Sequence, residues 1–163
     1  MTQFDIDYKK GKDSEIKSLP DLQDVFGNDL ILDPEMFAHF DYHNDKYMAE
    51  LKTRDDIVFK DGEFHYTTRK GKQMILDSIY FDAPKMRFGF QHNKWRRKNN
   101  EKEKRFFLIW KCNQEYFYWE LNWDKVEYFT EEQNRDFGHG YKQTRDVINV
   151  KVDYIKRLST LSL

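Results

Sequence analysis

Apolar positions along the chain fall into short runs separated by charge, and the period of the runs changes from segment to segment. Ile16, Leu19, Leu22, Val25 and Phe26 recur at helical spacing behind Asp13-Ser14-Glu15. That pattern predicts a helix with Ser14 as its N-cap, stopped by Gly27-Asn28 and broken or divided near Ser18-Leu19 by Pro20. Residues 37–52 read as a β-hairpin: Phe40 and Tyr42 precede Asn44-Asp45, and Tyr47, Ala49 and Leu51 follow at alternate positions. A second hairpin is predicted where Ile57-Val58-Phe59 and Phe64-His65-Tyr66 flank Asp61-Gly62, a strong turn pair.

Beyond it, Met74, Ile75, Leu76, Ile79 and Tyr80 predict a helix over 69–81, closed by Pro84. Residues 86–90 read as a strand and 93–104 as a charged loop. Residues 106–112 and 116–121 form a strand pair around Asn113-Gln114, apolar enough to be buried on both faces. Residues 135–143, with Gly138-His139-Gly140, read as loop. Residues 147–158 begin as a strand and end in a short helix. Helix, antiparallel strands, helix and strands in that order predict an α/β layered domain with a mixed sheet.

At 163 residues the chain suits one domain with a real core. Charged residues are 35% of it, but aromatics reach 17%, which excludes whole-chain disorder. With 28 basic against 29 acidic residues, a protein that coats nucleic acid with its whole surface is excluded, while a local basic patch is not. The single cysteine, Cys112, allows no internal disulfide and sits among apolar neighbours, so it is expected to be an inert core thiol. No segment resembles a signal peptide or reaches the roughly 20 apolar residues of a membrane span. A soluble, intracellular protein is therefore expected, in the cytoplasm or nucleus.

The first hairpin carries the chemistry. Residues two apart on a strand share a face, so Glu50 and Lys52 point one way and Leu51 the other. With Asn44-Asp45 as a two-residue loop, Asp41 falls opposite Met48 on that same face. It is then diagonal to Glu50, on the order of 7–8 Å away at Cα. An odd loop length would separate the pair. Paired carboxylates suit a hard cation such as Mg2+ or Mn2+, which polarises a phosphoryl oxygen and makes hydroxide from bound water. A lysine beside them orients the water or neutralises developing charge. Glu15-Ile16-Lys17 repeats the triplet, but in a helical segment, where i and i+2 do not face each other.

Asp41 followed by Glu50-Leu51-Lys52 resembles the D…(D/E)xK core of the PD-(D/E)XK nuclease superfamily, with Phe40 standing where the motif's proline would be. Gly11-Lys12-Asp13-Ser14-Glu15, followed by Leu22 and Phe26, resembles that family's first core helix. Tyr66-Thr67-Thr68 followed by Lys72-Gln73 resembles the start of its helix after the catalytic strand. The whole string is similar to small nuclease-like proteins of large DNA viruses.

The resemblance spans Gly11 to about Leu121. It implies a restriction-endonuclease-like fold, a central mixed β-sheet flanked by helices, with a core at 11–122 and a C-terminal extension at 123–163 in one domain. It implies a divalent-metal-dependent nuclease, acting on DNA in replication, recombination or repair. Asp41, Glu50, the Leu51 carbonyl and Glu15 would hold Mg2+ or Mn2+. Lys52 would serve the water or the transition state, and Lys72 and Gln73 would support the site. Many proteins of this fold pair as homodimers to cut two strands.

The basic stretch Lys94, Trp95, Arg96, Arg97, Lys98, Lys104 and Arg105 is the best candidate for gripping phosphates, with Trp95 able to stack on a base; a solvated surface is its ordinary alternative. Arg54 follows the catalytic strand within reach of a phosphate, but Asp55-Asp56 would repel one. None of the five histidines has zinc-site spacing; His39 shares the Asp41 face. The alternative to an enzyme is a non-catalytic module that binds nucleic acid or protein on the same fold. A glycosidase with paired carboxylates gives Lys52 no task.

Overall fold

The computed structural model describes residues 1–35, 39–122, 127–131 and 145–163. The first helix, α1 (Gln3–Phe26), begins eleven residues before the expected Ser14 cap and is not divided. Its N-cap is Thr2, in a reciprocal capping box with Asp5, whose carboxylate accepts from the Thr2 backbone N–H at 2.7 Å. Pro20 lies inside the helix. The amide it lacks would have served the carbonyl of Ile16, a residue 59% exposed, so water can take that place and the helix continues. Ser18, Leu22 and Phe26 form its buried stripe, at intervals of four.

The central sheet is mixed, in the order β1 (Ile31–Leu32), β2 (Tyr42–His43), β3 (Tyr47–Thr53), β8 (Arg105–Cys112), β9 (Glu115–Glu120), β12 (Lys156–Arg157). β3 and β8 pair in parallel and the other neighbours are antiparallel. Alternation splits the core. Ala49 and Leu51 on β3, with Phe107 and Ile109 on β8, join Leu22 and Phe26 beneath α1. Leu108, Trp110 and Cys112 face the opposite layer with Phe81, Met86 and Ile148. Residues 106–110 are all buried, as a strand covered on two faces requires. Burial also pushes the Cys112 thiol up to about 12, which fits an inert core cysteine.

Between β3 and β8 the chain makes a long excursion. β4 (Ile57–Lys60) and β5 (Glu63–Thr67) form the expected second hairpin, with positive φ at both Asp61 and Gly62, the signature of a type I′ turn. The helix expected over 69–81 does not form. Its place is taken by β6 (Gln73–Leu76), which extends the hairpin into a three-stranded sheet, and β7 (Ser78–Asp82). Met74 and Ile75 are exposed on β6, so the apolar run there is an edge strand and not one face of a helix.

The second helix, α2 (Ala83–Lys98), lies where a strand and a charged loop were expected. Met86, Phe88 and Phe90 alternate, which imitates a strand, but the buried face is Ala83, Met86 and Gly89, at intervals of three. Pro84 opens this helix, at its first turn, where a missing amide costs nothing. Gly89 lets the helix pass close to β8: a Cβ there would lie 3.2 Å from the Phe106 ring, which would have to give by a few tenths of an ångström.

β10 (Glu127–Glu131) and β11 (Arg145–Lys151) complete a second three-stranded sheet, β10-β11-β7, and β12 closes the edge of the central one. Ile148 and Val150 on β11 and Leu158 beyond β12 are buried, so the segment read as an extension contributes to both cores. Residues 135–143, including His139, lie outside the described residues. Among the described residues no helix is long and apolar enough to cross a membrane.

Candidate functional site

The turn that joins β2 to β3 decides where the carboxylates meet. Asn44 is buried, and its side-chain oxygen accepts the amides of Lys46 and Tyr47 at 3.0 and 2.8 Å. Its side-chain nitrogen donates to the Phe26 carbonyl at the end of α1. The Asn44 amide donates to the Tyr47 carbonyl at 3.0 Å, so the two-residue loop moves from Asn44-Asp45 to Asp45-Lys46, and His43 pairs with Met48 and Tyr42 with Ala49. The strand register is therefore shifted by two residues from the expected one. An even shift keeps the paired side chains on their faces, but alternation stops at Tyr42: Phe40 packs with Phe88 and Phe106, on the side of the sheet away from Tyr42. Asp41 stands just before β2, beyond the last ladder pair, and its Oδ2 accepts the Leu51 amide at 2.8 Å, next to Glu50 in the chain.

Both carboxylates are buried, Asp41 at 9% and Glu50 at 3% exposure. Glu50 holds two ammonium groups: Lys52 Nζ at 3.1 Å from Oε1 and Lys85 Nζ at 3.0 Å from Oε2. Lys85 comes from the first turn of α2 and also donates to the His39 carbonyl. Asp41 has no such partner among these contacts. Burial, then the charges of Glu50 and Glu15, raise its pKa from 3.8 to about 7 against the Leu51 amide and the Lys52 charge. For Lys52, burial works to lower the pKa, and the charge of Glu50 and its hydrogen bond override it, so the ammonium is held charged.

Glu15 reaches the site because α1 is fastened over it. The Tyr42 hydroxyl donates to the Glu15 carbonyl at 2.6 Å, and Ser14 and Thr53 share a hydroxyl contact at 2.5 Å. The Glu15 carboxylate pairs with Lys12 at 2.8 Å. Glu15, Asp41, Glu50, Leu51 and Lys52 thus line one cleft of about 420 Å³, together with Lys12, Asp82 and Lys85. Asp82 and Lys85 were not among the sequence candidates. His39 lines the same cleft and stacks on Phe88 at 4.0 Å.

Lys72 and Gln73 are elsewhere. Lys72 closes the turn from β5 to β6, its amide on the Thr68 hydroxyl and its carbonyl on the Thr68 amide; Gln73 opens β6 opposite Thr67. Both are exposed, and neither lines the cleft. The helix that would have carried them is absent, and the lysine that α2 brings to the carboxylates is Lys85.

The basic stretch runs from the last part of α2 through the turn after it to the first residue of β8, and much of its charge is neutralised. Arg96 pairs with Glu101 at 3.0 Å, Arg97 with Glu103 at 2.8 Å, and Arg105 with both oxygens of Glu120 at 2.6 and 2.8 Å. Lys104 donates to the Asn44 carbonyl at 2.6 Å. Lys94, Trp95 and Lys98 are exposed.

Among the described residues no group of three or more His, Cys, Asp or Glu is arranged to hold a metal ion. Two adjacent carboxylates are enough for Mg2+, which keeps several waters and takes one or two carboxylates beside a substrate phosphate. Asp41 and Glu50 fit that demand in donor chemistry, as two buried carboxylates that line one cleft. Compared with known protein families, curated proteins and solved structures, the chain matches none.

Proposed function

We propose that the chain is a divalent-metal-dependent nuclease with a restriction-endonuclease-like fold, hydrolysing phosphodiester bonds of nucleic acid, DNA in the first instance. The observation that carries this reading is the meeting of Asp41 and Glu50 in one cleft, with Lys52 on the Glu50 carboxylate and Glu15 brought in from α1. Asp41 and Glu50 would hold Mg2+ or Mn2+, with Glu15 and the Leu51 carbonyl at the same cleft. When bound, such an ion polarises a phosphoryl oxygen and lowers the pKa of water. Lys52, fixed by Glu50, presents its ammonium to the attacking water or to charge developing on phosphorus. Lys85 balances the second oxygen of Glu50 and sets the carboxylate's orientation.

A second reading, a non-catalytic nucleic-acid-binding module, has one observation in its favour: both oxygens of Glu50 already carry lysine ammonium groups. The test is cleavage of duplex, single-stranded, flap and junction DNA with Mg2+ or Mn2+ by wild type, Asp41→Asn and Lys52→Ala. Metal-dependent cleavage lost in both variants is expected. Folded wild type that binds DNA and cuts none of it would leave the binding module standing.

A further inference from the structure

Beside the carboxylate cleft lies a larger groove, of about 830 Å³. This is within the roughly 300–1,000 Å³ of sites that enclose small ligands. Lys52 and Asp82 line both cavities, so a single ligand can occupy the groove and reach the carboxylates. Arg54, Arg69, Tyr66 and Tyr80 supply the groove's cationic and aromatic surface, and Trp110 and Phe81, both almost fully buried, contribute apolar surface to it.

These residue types are those that hold a nucleic-acid strand. Arg69 is exposed and has no carboxylate partner among the described residues. Arg54 spends two of its five donors on Asp56, at 2.8 and 3.1 Å, and its guanidinium lies 6.0 Å from the centre of the Tyr66 ring. Tyr80 is 44% exposed on β7. A duplex hides the faces of its bases inside the stack and shows phosphates outside. Aromatic rings lining a cavity therefore meet the faces of unpaired bases only.

We infer that this groove, and not the basic end of α2, is the strand-binding channel of the protein. It takes an unpaired stretch of nucleic acid, with a phosphate on Arg69 and bases on Tyr66 and Tyr80, and leads the next phosphodiester past Lys52 to Asp41 and Glu50. The inference rests on the nuclease reading for the direction of the strand. It also narrows the substrate to single strands, overhangs or frayed ends.

The test is fluorescence anisotropy in EDTA, which separates binding from turnover, with labelled decathymidylate and a ten-base-pair duplex as probes. Wild type is expected to bind the single strand more tightly than the duplex. Arg69→Ala and Tyr80→Ala should each weaken single-strand binding about tenfold, the loss of one base stack or phosphate contact. Tyr80→Phe keeps the ring and should bind as wild type does. The inference falls if the alanine variants bind like wild type, if the duplex is preferred, or if the loss appears instead in Lys94→Ala/Lys98→Ala. Strand binding through the groove without any metal-dependent cleavage would uphold the channel and refute the nuclease; cleavage with groove variants unaffected would do the reverse.

Discussion

Asp41→Asn should make the metal-free protein more stable at pH 8, and by an amount that depends on pH. The carboxyl is 9% exposed and lies beside Glu50 and Glu15, so its pKa rises from 3.8 to about 7 on folding. Below pH 3.8 the group is neutral in both states and costs nothing. Between pH 3.8 and 7 the folded chain keeps a proton that the unfolded chain has lost, so wild-type stability falls with rising pH. Above pH 7 the full cost is present. At 1.36 kcal/mol per pH unit it amounts to at most about 4 kcal/mol, with water in the open cleft reducing it. Asparagine keeps an oxygen for the Leu51 amide and carries no charge. Urea unfolding in EDTA at pH 4 and pH 8 measures the difference. The two proteins should be similar at pH 4, and the variant more stable by about 2–4 kcal/mol at pH 8. Parallel stabilities across that range, or a less stable variant at pH 8, would refute the claim that Asp41 is an uncompensated buried charge.

Lys85→Ala removes one of the two ammonium groups that compete for Glu50, so Mg2+ should bind about tenfold more tightly by titration calorimetry, equivalent to about 1.4 kcal/mol; unchanged or weaker affinity would mean that Lys85 does not compete. Pro20→Ala restores an amide inside the continuous helix α1 and should raise stability by about 1–3 kcal/mol in urea unfolding. Gly62→Ala places a Cβ at φ +77° in the β4–β5 turn and should cost about 1 kcal/mol by the same assay.

How far the fold could be read from sequence depends on whether one period dominated each segment. The β4–β5 and β8–β9 hairpins were legible because an Asp-Gly or Asn-Gln pair sits between strongly apolar runs, and residues 113, 61 and 62 do take positive φ. The 69–98 region was not. In Met74-Ile75-Leu76 and in Met86 to Phe90 the apolar residues satisfy both periods over so short a length. What separated them was tertiary. β6 pairs with β5 along its whole length, while α2 buries the narrow stripe Ala83, Met86 and Gly89, the last of them close to the Phe106 ring. The N-terminal half of α1 carries no apolar stripe into the core, so only its capping box marked the true start.

The site was legible through parity. The loop moved by one position, from Asn44-Asp45 to Asp45-Lys46, which shifted the pairing by two residues and kept the paired side chains on their faces, so Asp41, just beyond the ladder, still lines the cleft of Glu50. A one-residue shift of the pairing would have turned the paired side chains to the opposite faces. Lys85 and Asp82 carried no comparable signal, because nothing near them in sequence refers to Glu50. They reach the cleft only because β7 hands the chain to α2 at that point, with Pro84 starting the helix. The same junction explains why Lys72 is remote: residues 73–76 form β6, and the chain delays its helix by fourteen residues from the expected start at 69, to Ala83. A lysine on the first turn of the next helix thus reaches the carboxylates from a different place in the sequence, which is why the ion pair from Lys85 to Glu50, and not the position of Lys72, is the contact to probe for the chemistry.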